Sequence, residues 1–163
     1  MKQIGLTQGK YALVDDADFE WLNQWKWFAV RQRNGNWYAV RNSTWKNVKG
    51  RTIYMHRKIL RLTVEDYHET DHKDHNGLNN QRENLRIATR MQNQYNQKPQ
   101  IGKSSQYKGV RWHKRDRKWR AEIKLNKKTR WIGAYNSEIE AARSYDRVAK
   151  ELFGEFAYTN FNL

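Results

Sequence analysis

The sequence has no cysteine and a single proline, and only nine of its 163 residues are glycine. Without cysteine there is no disulfide scaffold, no thiol nucleophile and no zinc site built on thiolates. So little proline and glycine argues against low-complexity disorder. No apolar run approaches the roughly 18 residues of a membrane span. The opening MKQIGLTQGK also lacks the apolar centre of a signal peptide. These absences lead to the expectation of a soluble, cytoplasmic protein with no membrane partner.

Acidic side chains are scarce too: 17, against 32 Lys and Arg, for a net charge of +15. The excess runs through the whole chain, so a polyanion is the leading partner, nucleic acid before membrane. The plainer alternative is a basic protein whose charge is only solvated. Eight Trp, nine Tyr and five Phe provide large apolar surfaces, each burying on the order of 150–250 Å². The length suits one ordinary domain or two small ones.

The sole proline lies in NQKPQIGKSSQ, residues 96–106, a polar stretch without periodicity. It suggests an N-terminal part over 1–97, a linker over 98–106 and a second module over 107–163. Upstream, ADFEWLNQW (17–25) reads as a short helix with acids in its first turn. KWFAVRQRNGNWYAVRNS (26–43) alternates around Asn34-Gly35, a strong hairpin signal. Its Arg31, Arg33 and Arg41 either meet phosphates or form a solvated face. TIYMHRKIL (52–60) resumes an apolar pattern of helix or strand type. Its His56 reads as a packed core histidine, because a lone histidine has no partner set for a ligand site.

Beyond the linker, QYKGVRWHKRDRKWRAEIKLNKKTRWIGAYNS reads as three strands. In the second, Trp119, Ala121, Ile123 and Leu125 share one parity, and Arg120, Glu122 and Lys124 the other. A helix follows, with apolar residues every three or four positions from Ala141 to Phe153. Ser137 and Glu140 suggest a capping box and Gly154 a C-terminal stop. The expected class is α+β, with a three-stranded antiparallel sheet packed on one helix. Between Lys108 and Arg130 stand 11 basic residues against Asp116 and Glu122. A ribbon so charged can enter a DNA major groove, where arginine reads guanine. Otherwise the face is merely solvated.

YKGVRW, KWRAEIKL and RWIGAYNSEIEAARSYDRVAKELFGEFAYTNF, in that order, resemble the plant Apetala-two/ethylene-response-factor DNA-binding domain over about Gln106 to Phe161. The resemblance implies a sheet lying in the major groove of double-stranded DNA. It assigns contacts to Lys108, Arg111, His113, Glu122, Lys124 and Trp131; Arg120 on the charged parity and Arg130 in the third strand join them. Two departures set this chain apart: a longer first hairpin, HKRDRK, and Thr129 where the plant domains usually carry arginine.

The remaining motif is DHKDHNGLNNQRENLRIATRMQNQ, with Asp-His twice in five residues. Asn76-Gly77 marks a turn, LRIAT a short strand, and Thr89 with Gln92 a capping box opening a helix at Arg90. A carboxylate on a strand and an amide on that helix could hold a hard cation such as Mg²⁺ or Mn²⁺. A neutral histidine beside it could take a proton from water attacking a phosphodiester. Equally, the asparagines could simply bond their own turns.

The segment from about Tyr67 is similar to the His-Asn-His nuclease family, in its phage and intron-encoded homing branch. Counting from His72 places Asn84 in Glu-Asn-Leu and Asn93 nine residues further; counting from His75 loses the middle asparagine. The resemblance implies a ββα-metal motif over about 67–97. In it His72 is the general base, Asp71 and Asn93 are metal ligands, and Asn84 organises the loop that orients His72. Asp74 is then a loop-capping acid and His75 a loop or phosphate contact.

Together the two resemblances imply a site-selective, metal-dependent endonuclease of the homing type, in a bacterial or phage-infected cell. Such an enzyme needs a divalent metal and no small-molecule cofactor, and works as a monomer or homodimer. The competing expectation is a non-enzymatic DNA-binding regulator with an inactive nuclease segment.

Overall fold

The computed structural model describes residues 1–33, 35–43, 51–63, 65–99 and 102–161. Its contacts divide the chain into two compact units, Met1–Arg90 and Met91–Leu163. The described residues of the expected linker, 98–99 and 102–106, are grouped with the second unit. Ser104 Oγ accepts a hydrogen bond from the Trp112 amide, and Ser105 Oγ one from the Tyr107 amide.

The first unit opens with the antiparallel pair β1 (Lys2–Gly5) and β2 (Tyr11–Val14), followed by helix α1 (Asp16–Asn23), whose first turn carries Asp16 and Asp18. A three-stranded antiparallel sheet follows, in the order β3 (Phe28–Arg31), β4 (Trp37–Asn42), β5 (Thr52–Tyr54). Asn34 of the expected hairpin turn lies outside the described residues; Gly35 takes a φ of 87°. The apolar pattern after Arg51 resolves into both candidate types, strand β5 and then the short helix α2 (Met55–Ile59).

Strand β6 (Glu69–His72) then pairs antiparallel with β7 (Leu85–Ala88). One core built on Ile4, Val14, Leu22, Met55, Ile59 and Leu85 joins the hairpin, the helices and β7. Burying such side chains contributes on the order of 1.5–3 kcal/mol each, and it fixes where the ends of β6 and β7 stand.

The second unit contains most of helix α3 (Arg90–Tyr95) and an antiparallel sheet in the order β10 (Lys128–Tyr135), β9 (Lys118–Leu125), β8 (Val110–His113). Helix α4 (Glu138–Phe153) lays Ala141, Ala142, Tyr145 and Ala149 against Val110, Ala121 and Ile123. Ser137 occupies the N-cap position, but its hydroxyl makes no capping bond, contrary to the expected capping box. Its carbonyl takes the Ala141 amide instead. Glu138 and Glu140 supply negative charge at that end, which favours the helix dipole.

Gly109, at φ 76°, lets β8 start flush against α4, since a Cβ there would lie 2.0 Å from the Tyr145 ring. Buried Asp146 accepts from the amides of Asn160 and Phe161, and the Asn160 side chain brackets Lys108 N and O. The Tyr-Asp and Asn-Phe pairs thus latch the chain end to the start of the sheet.

Candidate functional site

Strand pairing sets Asp71 opposite Arg86 and His72 opposite Leu85. Asp71 is 5% exposed, and the Arg86 guanidinium lies 2.6 Å from its carboxylate. His72 is equally buried, and its Nε2 faces Asn80 Oδ1 at 3.4 Å. Burial pushes the His72 imidazole below the ordinary histidine range, against the pull of the Asn80 side chain and of Asp74 and Asp71. The ring is therefore neutral at neutral pH, the form that can accept a proton.

The loop between β6 and β7 is held by its own amides. Asp74 caps it: its carboxylate accepts from the Asn76 amide and from the side chains of Asn79 and Asn84. Asn84 returns an acceptor to the Asp74 amide and donates to the Asn79 carbonyl. Asn84 thus shapes the loop, while Asn80, a fully buried residue that sequence reading passed over, faces the His72 ring. The loop is also tied to β2, with Leu13 donating to Leu78 O and Asn80 donating to Leu13 O, each at 2.8 Å. Arg82 makes two 2.7 Å bonds to buried Asp18 on α1.

The expected Asn76-Gly77 turn is present, closed by the Asn79 amide donating to the Asn76 carbonyl at 2.9 Å, and a second turn precedes it. His75 takes the left-handed conformation, with φ at 62°, and its amide donates to the His72 carbonyl. Gly77 is required for closeness: a Cβ there would stand 2.4 Å from Trp37 O and 2.6 Å from the Tyr38 ring.

Tyr38 belongs to one wall around His72. Its ring centroid is 5.8 Å from that of His72, and His56 lies closer still, at 5.1 Å and perpendicular. His56 is a buried core histidine, but the core it packs into is the surround of His72. Residues 1–60 therefore contribute to this site through β2, α1, β4 and α2. Of the basic hairpin, Arg41 stacks over Trp25 at 4.1 Å and Arg31 over Trp37 at 6.0 Å.

A metal ion is tested here by donor chemistry. The described residues contain no group of three or more His, Cys, Asp and Glu placed to bind one. Asp71 offers a buried carboxylate, but Arg86 already pairs with it, so a metal ion there would share or displace the guanidinium. One carboxylate with one amide oxygen suits a hard ion whose remaining ligands are water or phosphate. Asn93 stands on α3, in the second unit.

In the second unit, pairing defines one outward face carrying Arg111, His113, Arg120, Glu122, Lys124 and Trp131. Glu122 holds Arg111 through two bonds of 3.0 and 2.7 Å. Asp116 pairs with Arg120 and with His113, and Arg120 also lies over the Trp131 ring at 5.2 Å. Two expected contacts stand apart. Lys108 sends its ammonium to the carbonyls of Tyr95, the last residue of α3, and of Gln97 beyond it, and burial pushes its pKa down to about 8. Arg130 pairs with Ile123, so it takes the parity of the core side; a bulge between Trp131 and Gly133 follows.

Comparison with known proteins gives two separate signals. The AP2 domain family model matches residues 105–155. An uncharacterized HNH endonuclease of Acanthamoeba polyphaga mimivirus is 33% identical over 161 residues, covering 96% of this chain and 78% of that protein. Protein 3.8 of Escherichia phage T7 is 32% identical over 87 residues, 53% of this chain and 71% of that protein. APETALA2-like protein 2 of Oryza sativa subsp. indica is 45% identical over 60 residues, which is 36% of this chain and only 14% of the plant protein.

Proposed function

The chain belongs to the HNH endonuclease family and carries an AP2 domain, and from that premise we propose that it is a metal-dependent endonuclease cutting phosphodiester bonds of double-stranded DNA at selected sites. The observation that carries this reading is His72, a buried neutral imidazole beside the Asp71 carboxylate with Nε2 turned to Asn80. With Nε2–H given to Asn80, the lone pair sits on Nδ1, where it accepts the proton of the attacking water. Asp74, Asn79 and Asn84 keep the loop shaped so that Asn80 stays opposite the ring.

Asp71 and, by motif register, Asn93 would hold Mg²⁺ or Mn²⁺, which when bound stabilises charge on the scissile phosphate and leaving oxygen. A histidine and one carboxylate read no bases, so selectivity falls to the AP2 domain and its outward face of Arg111, Lys124 and Trp131. This division of labour is that of a homing-type enzyme. One nuclease segment per chain suits nicking by a monomer, with double-strand cutting left to a dimer.

Supercoiled plasmid incubated with Mg²⁺ or Mn²⁺ tests the reading. Open-circular product is expected from the wild type, and none from His72→Ala, with DNA affinity retained within about twofold. Undiminished cutting by His72→Ala overturns the assignment of the base. No product from the wild type with any divalent metal means a DNA-binding regulator instead.

A further inference from the structure

His56 is 7% exposed, and its Nδ1 has no hydrogen-bond partner among the described residues. A buried nitrogen left unpaired costs about 1–3 kcal/mol. A phenyl or isobutyl group in the same place would fill the space without that cost. The ring is nonetheless set with care: perpendicular to His72 at 5.1 Å, edge-on to Tyr38 at 5.4 Å and against Tyr54 at 5.2 Å. A second buried polar atom without a partner among the described residues, Thr70 Oγ1, lies two residues before His72 on the same face of β6. An unsatisfied buried polar atom calls for a partner, which a catalytic site takes from water, an ion or its substrate.

We propose that His56 is a positioning residue for the cutting reaction: its ring sets the plane of His72, and its Nδ1 hydrogen-bonds the water or phosphate that meets His72 in the DNA-loaded site. The inference rests on His72 being the general base. It assigns α2 a part in cutting, where the family motif assigns none, and it separates shape from chemistry at a single position. Phenylalanine preserves the ring and loses the nitrogen. Asparagine loses the ring but places a polar amide where Nδ1 stood.

The full-length protein is used, with supercoiled plasmid and Mg²⁺, and kcat and KM are measured for wild type, His56→Phe and His56→Asn. His56→Phe is expected to keep the wild-type melting temperature or exceed it, to keep KM within about twofold, and to lose at least about tenfold in kcat. His56→Asn should recover part of that loss despite packing less well. A purely structural role gives the opposite order, with Phe active and Asn impaired, and that result overturns the inference. If His56→Phe does not fold, His56→Leu is set against His56→Asn: both lose the ring and only asparagine keeps a polar group, so a leucine variant as active as the asparagine one overturns the inference. A wild type that does not cut overturns the nuclease reading itself. A wild type that cuts while His72→Ala does not, with His56→Phe equal to wild type, overturns only this inference.

Discussion

Arg86 reaches directly across the β6–β7 pair to Asp71, and both partners of this 2.6 Å ion pair are buried, at 10% and 5% exposure. Removing one member of such a pair leaves an uncompensated charge and costs about 3–5 kcal/mol. Arg86→Ala should therefore melt well below the wild type. A divalent cation that reaches Asp71 restores what the guanidinium supplied. Added Mn²⁺ is thus expected to raise the melting temperature of Arg86→Ala by more than it raises that of the wild type. Equal shifts in a thermal scan would mean that metal does not go to Asp71.

Asn80 and Asn84 should separate in their effects. Asn84 makes three bonds within the loop, whereas the ring of His72 faces Asn80. Asn80→Ala is expected to lower kcat about 10- to 100-fold, as loss of an orienting partner does, with a smaller loss of stability than Asn84→Ala, since its side chain makes one loop bond, to the Leu78 carbonyl. Asn84→Ala should cost about 1–3 kcal/mol of unfolding free energy through the orphaned loop groups. Urea unfolding and plasmid cutting on both variants test this, and a reversed ranking would return the orienting role to Asn84.

Asp18 and Arg82 give the first unit an acid-sensitive tie. Burial alone would raise the Asp18 carboxyl, but bonds from Arg82 and Trp21 outweigh it and hold it below the ordinary value. A depressed carboxyl stabilises the fold above its unfolded pKa, about 3.9, and loses that contribution as pH falls through the folded value. Arg82 is half exposed, so solvent limits the contribution to about 1 kcal/mol. The stability gap between wild type and Asp18→Asn should be full at pH 6–7 and close below about pH 4. A gap that persists unchanged at pH 3 would sink the idea.

The parts of this structure that sequence made legible are local. Asp74 could be read as a loop-capping acid because its partners, Asn76, Asn79 and Asn84, lie within ten residues of it. The parity of β9 likewise appears directly in its alternating residues. His56, Tyr38 and Asn80 were not legible as neighbours of His72. Tyr38 and His56 precede it by 34 and 16 positions, and only the tie of the loop to β2 and the seat of Gly77 on Trp37 bring these walls together. Spacing along a chain carries no record of such closures. Arg130 and Lys108 show the same limit from the other side, since charge alone does not reveal parity on β10 or the reach of an ammonium to α3.

That parity yields a test of how the second unit meets DNA. Lys124 lies on the outward face with Arg111 and Trp131, whereas Arg130 pairs with Ile123 and takes the parity of the helix-covered side. If the outward face enters the groove, Lys124→Ala removes a cation from the contact. Affinity then drops, and the slope of log K against log salt becomes shallower by about one. Arg130→Ala makes the same change in net charge on the other side, so its affinity and slope should stay close to wild type. Pairing the two variants cancels the general effect of losing one positive charge. Binding isotherms over a salt series read both quantities, and equal losses in the two variants would mean that the edge of β10, and not the outward face, lies against the duplex.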